Sequence, residues 1–95
     1  MIRHVVLWRL KSQAGDSFHT IRKALEEQHG RIPGLLRVEV GRNFVPSRRA
    51  VDFALICDFQ DRAALDAYHR HPAHMATRAL VDPLIDEHWI VDYEL

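Results

Sequence analysis

The sequence predicts an α+β domain in which four strands and two helical regions follow the order β-α-β-β-α-β and the strands form one antiparallel sheet. Two observations support this order. Four segments rich in Val, Ile, Leu and aromatic residues show strand patterns, whereas the segments after the first and third of them repeat apolar residues at helical spacing. Because the 95 residues contain no linker or low-complexity tract, we expect one domain over residues 1–95.

The first strand is predicted at residues 2–10, where both faces are apolar at the centre. Gly15 and Asp16 then offer a turn and a helix cap. A helix follows, and Gly30 is predicted to stop it. The apolar residues at helical spacing are Phe18, Ile21, Leu25 and, at the border of that face, Ala24.

The second strand is predicted after a turn at residues 32–34, and one of its faces is polar. Its apolar residues are Leu36, Val38 and Val40, with Arg37 and Glu39 between them. This alternation is typical of an edge strand. The third strand, Val51 to Phe59, is apolar on both faces, which indicates a central position in the sheet.

Asp61 is predicted to cap a second helix that runs to about Arg70. Because proline disfavours helical geometry in the residue before it, this helix should break at His71, and a new helix should begin at Pro72. The apolar residues predicted for the new helix are Met75, Ala79 and Leu80. The last strand is predicted from His88 to Glu94.

This order of elements is the split βαβ or ferredoxin-like arrangement, in which strands one and three lie in the middle of the sheet. Helices cover only one face of such a sheet. The other face carries an apolar stripe that consists of Val5, Leu7, Ala54 and Ile56. Because large apolar patches are rarely left in water, we expect a second copy of the chain to cover this stripe and complete a homodimeric α+β barrel.

Composition excludes several classes of function. Thirteen basic residues balance thirteen acidic ones, so no excess charge attracts nucleic acid or an anionic membrane surface. No segment approaches membrane-spanning length, and the apolar run at the N-terminus is too short for a signal peptide. The single cysteine, Cys57, cannot form an intramolecular disulfide and is predicted to be a core residue. We expect a cytoplasmic protein that binds neither nucleic acid nor membranes.

Chemically useful side chains concentrate between Tyr68 and His74, where a phenol and three imidazoles surround Pro72. His74 is predicted in the first turn of a helix, whose free N–H groups disfavour positive charge and keep the imidazole neutral near pH 7. A neutral imidazole accepts a proton, and Tyr68 would donate a hydrogen bond at the same place. One alternative is that both are packing or surface residues. Another is a metal site of His69, His71 and His74, although no cysteine or carboxylate stands at a recognisable partner spacing.

Five motifs span nearly the whole chain: His4-Val5-Val6-Leu7-Trp8-Arg9, Ile32-Pro33-Gly34, Val40-Gly41-Arg42-Asn43, Tyr68 with His71-Pro72-Ala73-His74, and Val91-Asp92-Tyr93. In type and order they resemble the motifs of the stress-responsive dimeric α/β-barrel (Dabb) family. The resemblance implies a homodimer with a ligand cavity between the sheet and the helices of each subunit. It also implies similarity to plant polyketide cyclases, which close a linear poly-β-ketone by intramolecular aldol condensation without metal or organic cofactor. Their essential tyrosine and histidine fall on Tyr68 and His74, and a further pocket histidine falls on His4.

The pocket implied by this resemblance combines His4, Tyr68 and His74 with seven apolar residues. The apolar residues are Val6, Trp8, Phe18, Ile21, Leu25, Leu55 and Ile90. The chain departs from the plant enzymes at Leu25, where they hold an aromatic group, and at Thr77 and Arg78, where they have an aromatic residue and a glycine.

Three functions stay open at this point. The first is a small homodimeric stress-associated protein or binding module with no established reaction, in which Tyr68 and His74 organise a turn and a small-molecule pocket lies between sheet and helices. The second is a cofactor-independent cyclase or lyase acting on a β-keto compound through Tyr68 and His74. The third is a cofactor-free monooxygenase, which rests on fold analogy alone. For all three we expect neither a cofactor nor a metal ion.

Overall fold

The computed structural model describes residues 1–95 as four strands, three α-helices and two short 3₁₀ turns. The strands are β1 (Ile2–Leu10), β2 (Leu35–Arg42), β3 (Phe53–Phe59) and β4 (Ile85–Glu94). The helices are α1 (Phe18–Glu26), α2 (Arg62–Arg70) and α3 (Pro72–Val81), and the 3₁₀ turns are Ser12–Ala14 and Asp82–Leu84. No helix of the chain is both long enough and apolar enough to cross a membrane.

The four strands form one antiparallel sheet in the order β2-β3-β1-β4. The two strands that are apolar on both faces, β1 and β3, lie at the centre, and the two strands with more polar residues lie at the edges. The fold is therefore ferredoxin-like, as the sequence predicted.

The main core lies between the sheet and the helices. It joins the inward residues of the sheet, such as Val6, Leu55 and Phe53, to Ile21 of α1 and Tyr68 of α2. The alternation of side chains along each strand places these sheet residues on one face, and the helices cover that face.

The outer face of the sheet is apolar at its centre and is not covered by a helix. Register places Leu7 beside Trp89 and Val5 beside Val91 on this face. Val91 is 54% exposed. At one end of the face, Arg3 Nε and its terminal nitrogen donate to the two carboxylate oxygens of Asp58 at 2.8 and 3.1 Å. The outer face therefore combines an exposed apolar centre with a fixed ion pair.

The break between α2 and α3 follows from local chemistry. Asp61 begins α2, and its Oδ1 accepts a hydrogen bond from Ala64 N at 2.8 Å. His71 is extended, with φ −69° and ψ 134°, and Pro72 follows as the first residue of α3. His71 Nδ1 accepts a hydrogen bond from Ala73 N at 3.0 Å and so caps the new helix. The predicted break is confirmed, and it sets the direction in which α3 leaves α2.

A close contact fixes the start of β2 against α2. Gly34 has φ +82°, and a Cβ built there would lie 2.5 Å from the Cβ of Ala64. Only glycine combines this backbone angle with this approach.

Three predicted details are wrong. Leu36 does not share the buried face of β2, because the register of β2 on β3 shifts between Leu35 and Arg37 and this bulge turns Leu36 outward. The helix α1 ends at Glu26 rather than near Gly30, because the chain then tightens into turns. The fourth strand begins at Ile85, three residues before the predicted start at His88.

The buried face of α3 also differs from the prediction. Met75 and Leu80 are exposed, whereas His74 and Val81 are buried. The reason is the angle at which α3 leaves Pro72, which directs the His74 face toward the sheet.

Candidate functional site

A cavity of about 410 Å³ lies between α3 and the β1–β4 half of the sheet. Eight of the ten residues predicted to line a pocket line this cavity: His4, Val6, Trp8, Leu25, Leu55, Tyr68, His74 and Ile90. Its volume falls within the range of about 300–1,000 Å³ that is typical of small-molecule sites. The apolar residues form the middle of the wall, and the imidazoles and the phenol lie together in one part of it.

Phe18 and Ile21 do not line the cavity, contrary to the prediction. Both are buried in the core. The Phe18 ring packs edge-on against Phe53, with centroids 5.6 Å apart, and Arg42 lies over its other side. This half of the helix–sheet layer is filled because α1 packs on β2 and its Phe18 ring packs on Phe53 of β3, whereas no helix packs closely on β4.

Four polar rings surround one corner of the cavity. They are His4 of β1, Tyr68 and His69 of α2, and His74 of α3. Tyr68 and His74 are the closest pair, with centroids 3.9 Å apart and planes inclined by 35°. The His4 ring lies 6.1 Å from that of Tyr68 and 5.9 Å from that of His69. The break at Pro72 brings Tyr68 and His74 together, because it folds the first turn of α3 back beside the last turn of α2.

His74 presents one free nitrogen to this corner. Its Nδ1 lies 2.9 Å from Gln28 Oε1, and Gln28 Nε2 in turn donates to the carbonyl oxygen of Leu25 at 3.2 Å. Since a carbonyl oxygen can only accept, Nδ1 carries the proton and donates a hydrogen bond to Gln28 Oε1. The unprotonated nitrogen of the neutral ring is therefore Nε2.

Burial, more than the helix end, keeps His74 uncharged. The pKa of His74 is lowered to about 4, mainly by desolvation and also by the neighbouring His69, Arg78 and His4, while Asp82 acts in the opposite direction. The prediction of a neutral imidazole near pH 7 thus agrees with the structure. Its physical cause is different.

Tyr68 is suited to donate a hydrogen bond. Its side chain is buried, and desolvation raises the pKa of its phenol well above the usual range, with the neighbouring Cys57 adding to the effect and Gln28 opposing it. The phenol therefore stays protonated at physiological pH. Cys57 is no nucleophile here, because burial raises the pKa of its thiol to about 12.

His4 is anchored in the same manner as His74 but to a different kind of partner. Its Nδ1 contacts a carboxylate oxygen of Asp92, the residue opposite it on β4. Because a carboxylate only accepts, Nδ1–H is the donor and Nε2 of His4 is free. The cavity corner is thus flanked by two imidazoles whose Nδ1 atoms are both held from behind.

Charged residues line another part of the cavity. Arg78 Nε donates to Asp82 Oδ2 at 3.2 Å, and Asp86 and His88 lie on the same wall. His88 was predicted only as the first residue of the last strand. The structure finds it exposed but on the cavity wall, opposite Trp8 in the pairing of β1 with β4.

Two of the anchoring residues, Gln28 and Asp92, were missed as site residues. The signal for Asp92 was present, since antiparallel pairing of the first and last strands sets it opposite His4. Gln28 gave no signal, because it follows the end of α1 and only the tertiary packing of α1 on α3 brings it to His74.

The metal alternative finds no support in the geometry. His71 caps α3 and His74 donates to Gln28, so these two imidazoles are engaged in different places. No three His, Cys, Asp or Glu side chains of the chain are arranged to hold a metal ion.

Comparisons with known proteins place this chain in a family. The profile of the Stress responsive A/B Barrel Domain family (Dabb) matches residues 2–95. An uncharacterised protein of Streptomyces coelicolor is 34% identical over an alignment of 98 residues that includes 99% of each chain. A dimeric ferredoxin-like protein of unknown function from Thermobifida fusca is 27% identical, with a TM-score of 0.87 over 99% of this chain and 90% of that one.

The hydroxynitrile lyase of Passiflora edulis has the same fold, with a TM-score of 0.87 over 99% of this chain and 92% of that one, but is only 18% identical. This likeness concerns the fold alone. Because the family profile covers nearly the whole chain and a relative is 34% identical over its length, the protein belongs to the Stress responsive A/B Barrel Domain (Dabb) family.

Proposed function

We propose that the protein is a cofactor-independent enzyme of the cyclase or lyase type that binds a small β-keto compound in the cavity and promotes its intramolecular aldol condensation. The observation that carries the proposal is the pairing of a neutral His74, whose Nε2 is free, with a protonated Tyr68 on the wall of an open cavity. A purely structural role for the two residues would not require a cavity at their contact.

The reaction follows from the two side chains. His74 Nε2 removes a proton from the carbon between two carbonyl groups, and Tyr68 donates a hydrogen bond to the carbonyl oxygen on which negative charge grows. The enolate carbon then attacks a second ketone of the same molecule and forms a C–C bond. The resulting alkoxide takes the proton back from the His74 imidazolium and becomes a hydroxyl group, so the side chains end the addition unchanged. Loss of that hydroxyl group and a hydrogen from the neighbouring carbon as water completes the condensation.

His74 by itself is a weak base, and the negative charge that develops on the substrate makes it a stronger one. A pKa of about 4 leaves the ring fully unprotonated at pH 7, but a base near the working pH would be more effective. Once the enolate forms, its negative charge stabilises the adjacent imidazolium, because opposite charges at close range favour both charged forms. The imidazolium is therefore stable only beside the product of proton removal.

His4 adds a second imidazole nitrogen to this corner. With Nδ1 held by Asp92, its Nε2 is left to form a hydrogen bond with an oxygen of the substrate or with a bound water. Val6, Leu55 and Ile90 form the apolar wall against which the carbon chain folds. Holding the two reacting carbons together in this way supplies acceleration beyond acid–base chemistry.

We propose further that two chains pair through the outer face of the sheet. The support is the exposed apolar centre around Leu7, Trp89 and Val91, together with the Thermobifida fusca relative that is described as dimeric. Light scattering should give a mass of twice the 11.1 kDa of one chain. A folded species of 11.1 kDa at micromolar concentration would refute this assembly.

The reaction is tested by the turnover of linear poly-β-ketoacyl thioesters, which carry the second ketone that the enolate attacks, in four variants. We expect His74→Ala and Tyr68→Phe each to lower kcat by about 10²-fold or more, because each removes one partner of the acid–base pair. The matched controls are His19→Ala, which removes an exposed imidazole, and Tyr93→Phe, which removes a phenol outside the cavity.

Equal turnover by wild type and the His74→Ala and Tyr68→Phe variants would contradict the proposal. The same assay under nitrogen separates it from the monooxygenase alternative, because an aldol condensation consumes no oxygen. Loss of turnover without oxygen would favour the oxygenase.

A further inference from the structure

Gln28 is a buried residue, and its hydrogen bonds allow only one orientation of the side-chain amide. Its side chain is 2% exposed and lies just beyond the last turn of α1. Nε2 donates to the Leu25 carbonyl oxygen at 3.2 Å, and Oε1 lies 2.9 Å from His74 Nδ1. If the amide were turned over, its Nε2 would face His74 and its Oε1 would face the Leu25 carbonyl oxygen, which has no proton to give.

We infer that Gln28 is a positioning residue that fixes the tautomer of His74, so that Nε2 is always the nitrogen presented to the cavity. Its catalytic meaning rests on the proposed function. The tautomer of His74 itself is the same with or without a substrate.

Without this anchor the neutral imidazole would divide between two tautomers. In water the proton sits on either nitrogen, and a proton on Nε2 would turn the base into a donor. A buried acceptor behind Nδ1 removes this second form, because it would leave Gln28 Oε1 without its hydrogen bond at a cost of about 1–3 kcal/mol. Gln28 thus makes the whole population of His74 competent to accept a proton.

The choice of an amide rather than a carboxylate also matters. The carboxylate of Asp92 behind His4 carries a negative charge, whereas Gln28 is neutral and offers His74 no counter-charge. A carboxylate at position 28 would stabilise the imidazolium and raise the pKa of His74, so that more of the rings would already be protonated before the substrate arrives. The amide holds the ring in place without charging it.

The other groups that face His74 do not supply a dominant negative charge. His69 and Tyr68 approach from α2, Arg78 from α3 and His4 from β1, and the acidic Asp82 at the end of α3 opposes their effect on the pKa of His74 only weakly. None of the elements packed against His74 therefore supplies the buried carboxylate that would keep the ring protonated.

Gln28 also lies beside the hydroxyl of Tyr68 and lowers the pKa of that phenol, which burial raises. One side chain therefore contacts both members of the acid–base pair. Because Gln28 reaches Tyr68 and His74 from α1, it ties their relative position to the packing of α1 on α3.

The test is nitrogen-15 NMR of the histidine side chains, which identifies the protonated nitrogen of each ring. In the wild type we expect His74 to be a single Nδ1–H tautomer near pH 7. In Gln28→Met, which keeps the volume but removes the acceptor, we expect a mixture of tautomers and a fall in kcat of about twofold or more, in proportion to the share of rings that carry the proton on Nε2. In Gln28→Glu we expect the pKa of His74 to rise by about 1–3 units.

The control is Gln60→Glu, an exposed site at which the same change should leave the His74 signals unchanged. An Nε2–H tautomer in the wild type would overturn the inference, and this measurement needs no variant to fold. Unchanged tautomer and titration in both Gln28 variants would overturn it as well. A correct tautomer in a protein that turns over no β-keto compound would instead count against the proposed function.

Discussion

Replacing His74 by asparagine should change how stability depends on pH. Asparagine places an N–H donor near the position of Nδ1, so the contact with Gln28 is kept while the titratable ring is lost. In the wild type the pKa of His74 is about 6.5 in the unfolded chain and about 4 in the folded one. Between these values the unfolded chain binds the proton more readily, so the wild type loses stability as the pH falls.

The size of the effect follows from the same two values. A shift of one pKa unit corresponds to about 1.4 kcal/mol, so the loss in the wild type should reach about 2 kcal/mol between pH 7 and pH 5 and about 3 kcal/mol by pH 4. His74→Asn lacks this contribution, and its curve should therefore fall less steeply. The sign is definite. A histidine whose pKa is lower in the folded state than in the unfolded state makes the folded state less stable at low pH than at high pH.

Urea unfolding followed by tryptophan fluorescence measures the free energy at each pH, with the protein concentration held fixed because assembly also shifts stability. The quantity of interest is the difference between wild type and variant, which removes the contribution of the other titrating groups. His19→Asn, at an exposed site, should run parallel to the wild type. If the curve of His74→Asn were also parallel, the buried neutral imidazole would be disproved.

Three further predictions concern the fold and the assembly. Gly34→Ala should destabilise the protein by about 1–2 kcal/mol more than Gly30→Ala in thermal unfolding, because both glycines have positive φ but only at Gly34 would the new Cβ collide with Ala64. Asp61→Ala should cost about 1 kcal/mol in the same assay through loss of the α2 cap, and an unchanged midpoint would refute that role. Val91→Asp should shift the protein toward monomer in light scattering, since it places a charge on the exposed apolar face, and an unchanged mass would argue against that interface.

Much of the fold could be predicted because local signals agreed with the global arrangement. The first strand, the Asp61 cap and the helix break at Pro72 all depend on a few adjacent residues, and all three were predicted correctly. An error arose where the pairing of two strands changes the inward and outward alternation of side chains that the sequence pattern predicts. Leu36 looked inward by parity, but a bulge against β3 reversed its direction, and no feature of the β2 sequence marks that bulge.

The site was only partly accessible to sequence reasoning. Tyr68 and His74 are near in sequence, so one proline sufficed to bring them together. Gln28 is 46 residues from its partner His74, and its amide resembles any polar residue after a helix. Phe18 was assigned to the pocket because an apolar helix face does not reveal which half of the sheet it will cover.

The position of Cys57 offers a built-in probe of the whole domain. Its sulfur has no exposed surface and lies beside Tyr68 at the middle of the helix–sheet layer. A thiol reagent therefore reaches it only after that layer has separated, so the rate of labelling reports the opening of the native chain without any engineered dye. Because a molecule that occupies the cavity stabilises the closed form, slower labelling would reveal which compounds bind, before any reaction is known.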